Sequence, residues 1–202
     1  MTRTLIYSAG LLLGFLFVIS CAGRQESAHM DVLDKCAGCH GATGITYTYY
    51  IPNLAGQNAA YTISQLRYFR AAHASGDLRD NPTMEWHAVH TEEKDIERIA
   101  DFYAAQTCEK GAFNWHGADL KNECTACHGA HGRSTDPSIP NLAGQKVSYM
   151  LNQLVAFQNN KEGNPNKNRH IYRTSGSMGQ PVDNLPEDAL PSLYFFNAQT
   201  CR

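Results

Sequence analysis

The feature that most constrains this chain is a duplication. Cys36-Ala37-Gly38-Cys39-His40 recurs 88 positions later as Cys124-Thr125-Ala126-Cys127-His128. At the same offset of 88, Ile51-Pro52-Asn53-Leu54-Ala55-Gly56-Gln57 recurs as Ile139-Pro140-Asn141-Leu142-Ala143-Gly144-Gln145, with all seven residues identical. Tyr61, Gln65, Leu66 and Phe69 then match Tyr149, Gln153, Leu154 and Phe157. The offset grows to 94 at Arg79/Arg173 and Met84/Met178, and settles at 93, where Ala105-Gln106-Thr107-Cys108 matches Ala198-Gln199-Thr200-Cys201. A repeat of this length predicts two small lobes of one architecture. The residues added in the second half fall within Asn159 to Asn168, whose Asn, Gly and Pro content reads as a surface loop.

Each half reads as helical, so the expected fold class is all-α. A short helix leads into each cysteine motif. After each Pro-Asn-Leu-Ala-Gly-Gln loop a helix carries an apolar stripe, Ile63, Leu66 and Phe69 in the first half. Its copy shows Val147, Met150, Leu151, Leu154 and Phe157. A last helix is expected from Thr91 as N-cap, with Glu92 and Glu93 at the positive end of its dipole. That helix turns Ile96, Ile99, Ala100 and Tyr103 inward. Its copy begins at Leu185-Pro186, and Pro191 should delay or kink the start. No stretch alternates over strand length. Three helices in about 90 residues make a thin core, which a large apolar prosthetic group would complete. The expected organisation is a leader over 1–21, one lobe over 22–110 and a second over 111–202.

C-x-x-C-H is the attachment signature of c-type haem. Two thiols three positions apart on a helical turn can each add across a haem vinyl group, and the next histidine then lies beneath the iron. Cys36, Cys39, Cys124 and Cys127 are thus the expected thioether cysteines, with His40 and His128 as axial ligands of two haems c. A disulfide, a redox pair or a zinc site drawing cysteines from both halves would leave the two histidines unexplained. The sixth ligand should repeat as the halves do. Met84 and Met178 match each other and are expected in loops ahead of the last helices, with six residues separating them from Thr91 and Leu185. Met30 and Met150 have no methionine partner and read as core. His87 and His90 compete with Met84, but the second half has Pro181 and Asn184 there. His73, His116, His131 and His170 also lack counterparts. Histidine with methionine closes both axial positions, an arrangement that relays electrons and raises the potential relative to two histidines.

The twin C-x-x-C-H motifs, the repeated Pro-Asn-Leu-Ala-Gly-Gln loop, the Tyr…Gln-Leu helix and the methionine before an Ala-Gln-terminated helix together resemble cytochrome c4. Members of that family are diheme class I cytochromes c of the bacterial periplasm, often membrane-associated. The resemblance covers residues from about 30 to 202 and implies two tandem class I cytochrome c domains. It implies that the carbonyls of Pro52 and Pro140 orient His40 and His128 through their Nδ–H groups. It sets Arg79 and Arg173 beside haem propionates or on the open surface. It places the haems close across a pseudo-twofold interface. The implied role is a shuttle of single electrons from a quinol-oxidising complex to a terminal oxidase, without catalysis of its own. A haem subunit held permanently by a dehydrogenase, or a diheme enzyme with one open iron, are the alternatives.

Three cysteines remain. Arg3 and the apolar run Leu5 to Ile19, ending at Ser20-Cys21, resemble a bacterial lipoprotein signal. At about 15 residues the run is short for a membrane span, which takes about 20. Cleavage before Cys21 and its lipidation would tether the chain at the periplasmic face of a Gram-negative bacterium; an uncleaved anchor is the competing reading. Cys108 and Cys201 end the two halves. In an oxidising compartment they invite a disulfide, to each other or to another subunit. With 17 basic and 19 acidic residues, net −2, the chain has no basic surface suited to nucleic acid.

Overall fold

The computed structural model describes residues 31–75, 81–108, 123–158 and 189–201. Cys21, Met30, Arg79, Arg173, Met178, Leu185-Pro186 and the Asn159–Asn168 stretch lie outside the described residues. The described residues form helices and loops and contain no strand. Lobe 1 carries α1 (Val32–His40), α2 (Ala59–Ser75), α3 (Pro82–Val89) and α4 (Glu93–Ala105). Lobe 2 carries α5 (Glu123–His128), α6 (Val147–Gln158) and α7 (Ala189–Asn197). No helix among the described residues is long and apolar enough to cross a membrane.

Local chemistry sets these boundaries. Asp31 caps α1, its Oδ1 accepting from the Leu33 N–H at 2.8 Å. Two starts differ from the sequence expectation. Met84 lies on a helix and not in a loop, because Asn81 caps α3 through Oδ1 to the Met84 N–H at 3.0 Å and Pro82 opens its first turn. The last helix of lobe 1 begins after Glu92 and not Thr91. The Thr91 hydroxyl instead donates to the His87 carbonyl at 2.8 Å and closes α3. Pro191 lies in α7, which is described from Ala189 on, so the start of that helix, and with it the expected delay or kink, falls outside the described residues.

The inward faces follow the repeat. Ile96, Ile99, Ala100 and Tyr103 of α4 are buried, as are Ser192, Leu193, Phe195 and Phe196 of α7. On α2 the buried positions are Thr62, Phe69 and Ala72, with Ile63 and Leu66 half-buried. On α6 Met150 is buried but Leu151, expected inward, is exposed, one step round from the Met150–Leu154 stripe.

The two lobes join through their repeated loops. The Asn53 N–H donates to Gln145 Oε1 at 3.0 Å, and Gln145 Nε2 donates to the Asn53 carbonyl at 2.9 Å. The copy holds with the roles exchanged: Asn141 N–H to Gln57 Oε1 at 2.8 Å, and Gln57 Nε2 to the Asn141 carbonyl at 3.1 Å. Asn53 Nδ2 reaches the Gly144 carbonyl at 3.1 Å and Asn141 Nδ2 reaches that of Gly56 at 2.8 Å. This is the self-complementary pattern of a twofold interface, realised within one chain. Both glutamines are buried, and their amide groups are satisfied by the opposite lobe.

Cys108 and Cys201 are joined by a disulfide at the centre of this interface, with Cα atoms 5.4 Å apart. They pack with Ala55 and Ala143 in one buried cluster. Each sulfur lies on a glycine of the other lobe, Cys201 on Gly56 and Cys108 on Gly144. Both glycines have positive φ, 66° and 68°. A Cβ on Gly56 would sit 2.6 Å from the Cys201 sulfur, so backbone conformation and close approach both require glycine there.

Candidate haem-attachment sites

Each cysteine motif occupies the end of a short helix, α1 or α5, so its histidine is the last helical residue. His40 and His128 are both buried. His40 Nδ1 lies 3.0 Å from the Pro52 carbonyl, and His128 Nδ1 lies 2.9 Å from that of Pro140. A carbonyl can only accept, so Nδ1 carries the proton and Nε2 keeps its lone pair for a metal. Burial pushes both imidazoles below the ordinary histidine value, while the proline carbonyl acts in the opposite sense. Lys146 and His87 add smaller downward pushes on His40. The histidines are thus fixed in ring orientation, tautomer and neutral charge.

The thiols complete the donor set. Cys36 and Cys124 are half-buried, Cys39 and Cys127 exposed, and none of the four is in a disulfide. Burial, then the neighbouring Cys39, pushes the Cys36 thiol up to about 11. Among the described residues no three His, Cys, Asp or Glu side chains gather as a metal-holding group. The pairs therefore do not converge on a shared zinc site. The Tyr103 hydroxyl adds an independent observation: it is buried without a hydrogen-bond partner. Burial, then Cys36, pushes it up to about 12. A group attached at Cys36 is placed to meet this donor. One thiol pair and one buried histidine, held at Nδ1 so that Nε2 keeps its lone pair, fit a covalent haem in each lobe.

In lobe 1, α3 carries Met84 and His87 one turn apart, both half-buried. His90 is exposed, stacked on Trp86 at 4.2 Å, with Nδ1 2.7 Å from the Trp86 carbonyl. Geometry thus sets His90 apart and leaves Met84 and His87 on one helical face. His73 is exposed beside Glu85, and His131 is exposed over Phe195. Sequence reasoning missed Tyr103 as a site residue, since its copy is Phe196 and a lone buried tyrosine reads as core. It also missed Asn53, Gln57, Asn141 and Gln145, which were visible only as repeated loop residues.

Two helical lobes, each ending a short helix in a cysteine pair and a carbonyl-held histidine, define a protein built to hold two covalent haems. The model of the cytochrome c family matches residues 30–104 and again 116–196. A cytochrome c-552 of Acidithiobacillus ferridurans is 30% identical over 77% of this chain and 74% of that protein. A thiosulfate dehydrogenase electron acceptor of Stutzerimonas stutzeri is 34% identical over 65% of this chain and 67% of that protein. Among solved structures, a cytochrome c4 of Acidithiobacillus ferrooxidans superposes with a TM-score of 0.61 at 25% identity, over 82% of this chain and 98% of the other. The chain belongs to the cytochrome c family, within its diheme cytochrome c4 group. It is a diheme electron-transfer cytochrome with two haems c, one in each lobe.

Proposed function

We propose that this cytochrome passes single electrons between redox complexes at the periplasmic face of the membrane, from a quinol-oxidising complex toward a terminal oxidase. Haem 1 is attached at Cys36 and Cys39 with His40 on its iron, and haem 2 at Cys124 and Cys127 with His128. Met84 and Met178 supply the sixth ligands. Met84 is preferred over His87, its neighbour on α3, because Met178 repeats it while Pro181 stands where His87 would be. Lipidation of Cys21 tethers the chain, and the cytochrome lobes span 22–110 and 111–202. Haem supplies reversible one-electron chemistry between ferric and ferrous iron.

The observation that carries this reading is the matched pair of histidines held by Pro52 and Pro140, on loops that bond to each other. The polypeptide keeps each imidazole neutral and fixed, and brings the two proximal loops into direct contact. Such a joint suits electron exchange between lobes without a moving part. A redox titration followed optically, with and without carbon monoxide, tests it. The expected result is two low-spin haems, neither binding carbon monoxide rapidly. Fast binding to either ferrous haem overturns the sulfur-ligated relay.

A second reading names a different donor, a thiosulfate-oxidising enzyme, and rests on the 34% identity to an electron acceptor of thiosulfate dehydrogenase. Rapid-mixing reduction by that enzyme with thiosulfate, set against reduction by a quinol-oxidising complex, separates the two donors.

A further inference from the structure

The twofold pattern of the interface breaks at one position. Asn58 follows Gln57 in lobe 1, and Lys146 follows Gln145 in lobe 2. Each crosses to the other lobe. Asn58 Nδ2 donates to the Ile139 carbonyl at 2.7 Å and to that of Asp136 at 3.4 Å. Lys146 Nζ donates to the Thr46 carbonyl at 3.1 Å and to that of Thr48 at 2.7 Å. Thr48 and Asp136 are equivalent, so a neutral amide and an ammonium occupy the same place on opposite sides of the joint. Among the described residues, lobe 2 gives lobe 1 a positive charge and receives none in return.

The charge lands close to the proximal side of haem 1. Lys146 holds the Thr46 carbonyl; the Thr46 N–H donates to Asn53 Oδ1 at 3.1 Å; and Asn53 follows Pro52, whose carbonyl holds His40. Lys146 is half-buried, and its two partners are neutral carbonyls; among the described residues no carboxylate pairs with it. Burial lowers its ammonium to about 8, which leaves it protonated at neutral pH. Lobe 2 has Arg133 and Asp136 around its own loop, of opposite sign and both exposed to screening water.

We propose that Lys146 is a positioning residue that raises the reduction potential of haem 1 across the lobe interface and so makes two duplicated haem sites unequal. The physical step is simple. An electron arriving on haem 1 is stabilised by a fixed, poorly hydrated cation nearby, and an electron on haem 2 meets only the neutral Asn58 at the equivalent place. The proposal rests on His40 being the axial ligand of haem 1.

The test is an optical redox titration of the holoprotein, with haems assigned by their shifted proton resonances, for K146M, K146Q and K146R. Both neutral variants should shift the electron-sharing equilibrium between haems toward haem 2 by about threefold to tenfold, tenfold being about 59 mV for one electron. The midpoint of haem 2 should stay fixed, and K146R should retain the parental values. Equal shifts in both haems would mean a loosened joint, and would overturn the proposal. So would an unchanged haem 1 midpoint in K146M and K146Q, or an arginine variant that shifts as much as the neutral ones. A parental protein whose haem 1 is high-spin or binds carbon monoxide rapidly refutes the ligand assignment instead, which separates the two failures.

Discussion

Lobes 1 and 2 share one ancestry of sequence and one arrangement of helices, yet they hold their last helix in place by different means. Lobe 1 uses charge. Arg67 and Arg70 of α2 both pair with Glu93 at the start of α4, and Arg98 of α4 pairs with Asp31 at the cap of α1. Arg70 also donates to the carbonyls of Ala88 and Thr91, at 3.1 and 2.6 Å. Lobe 2 has Val155, Gln158, Pro186 and Pro191 at the positions of Arg67, Arg70, Glu93 and Arg98. There α7 packs Leu193, Phe195 and Phe196 with Met150, supported by Val147 and Leu154. What the lobes keep in common is the histidine, its proline carbonyl, and the Asn-Leu-Ala-Gly-Gln joint. The peripheral means of holding a helix drifted; residues that serve both the haem side and the other lobe did not.

The sharpest way to break this comparison is to separate the lobes. The Cys108–Cys201 bond closes a sequence separation of 93 residues. Replacing both with serine should cost about 4–5 kcal/mol in the chain-entropy description. Denaturant unfolding followed by tryptophan and haem absorbance should then resolve two transitions in place of one, with the visible spectrum unchanged beforehand. A midpoint that barely moves would mean that the reciprocal Asn and Gln bonds hold the joint by themselves.

Next in size are the two glycines beneath the disulfide. G56A and G144A each force a side chain into positive φ, at a cost of about 1–3 kcal/mol, and each also pushes a Cβ against sulfur. If the joint is as symmetric as its hydrogen bonds, thermal unfolding should show similar losses for both. A loss confined to one variant would show that the two faces of the interface are unequal in stiffness as well as in charge.

Much of this design was legible in the residues. The repeat, both cysteine motifs and the inward set Ile96, Ile99, Ala100 and Tyr103 follow from spacing. The α3 start was also written in the sequence, as Asn81-Pro82, but a cap signal competes with the loop expected before a final helix. What spacing does not encode is which surface meets which. Identity of Asn53 with Asn141 and of Gln57 with Gln145 says that both loops do the same thing, not that they do it to each other. Whether Cys108 meets Cys201 depends likewise on a Cα separation that only the docked lobes define. The unpaired charge of Lys146 was hidden for the same reason: its partners are carbonyls about 100 positions earlier.

Tyr103 against Phe196 gives a smaller contrast, whose sign is informative. The Tyr103 hydroxyl has no protein partner, and a buried unpaired donor is destabilising. If haem 1 satisfies it, Y103F should lower the stability of the holoprotein by about 0.5–1.5 kcal/mol. A stabilised Y103F holoprotein would mean that the hydroxyl stays unpaired and is a residue of packing alone.

The smallest effect tests the charged against the apolar lobe directly. Hydrogen bonds from Arg67 and then Arg70 hold the Glu93 carboxyl below its ordinary value of 4.5, and Arg98 followed by the Leu33 N–H holds Asp31 below 3.8. Carboxyls harder to protonate in the folded chain than in the unfolded one contribute stability above those ordinary values. The contribution is lost as pH falls below them, through the depressed folded values. These groups are exposed, so the contribution is modest and weakens in salt. Hydrogen exchange of α4 amides should therefore quicken between about pH 5 and 3, and on adding salt at neutral pH, while α7 responds less to either. The two perturbations act on one set of pairs by different routes, protonation and screening. Agreement between them assigns the sensitivity to Arg67, Arg70, Glu93, Arg98 and Asp31. If α7 quickens as much as α4 in both, the ionic clasp is surface ornament and the two lobes are held by the same forces after all.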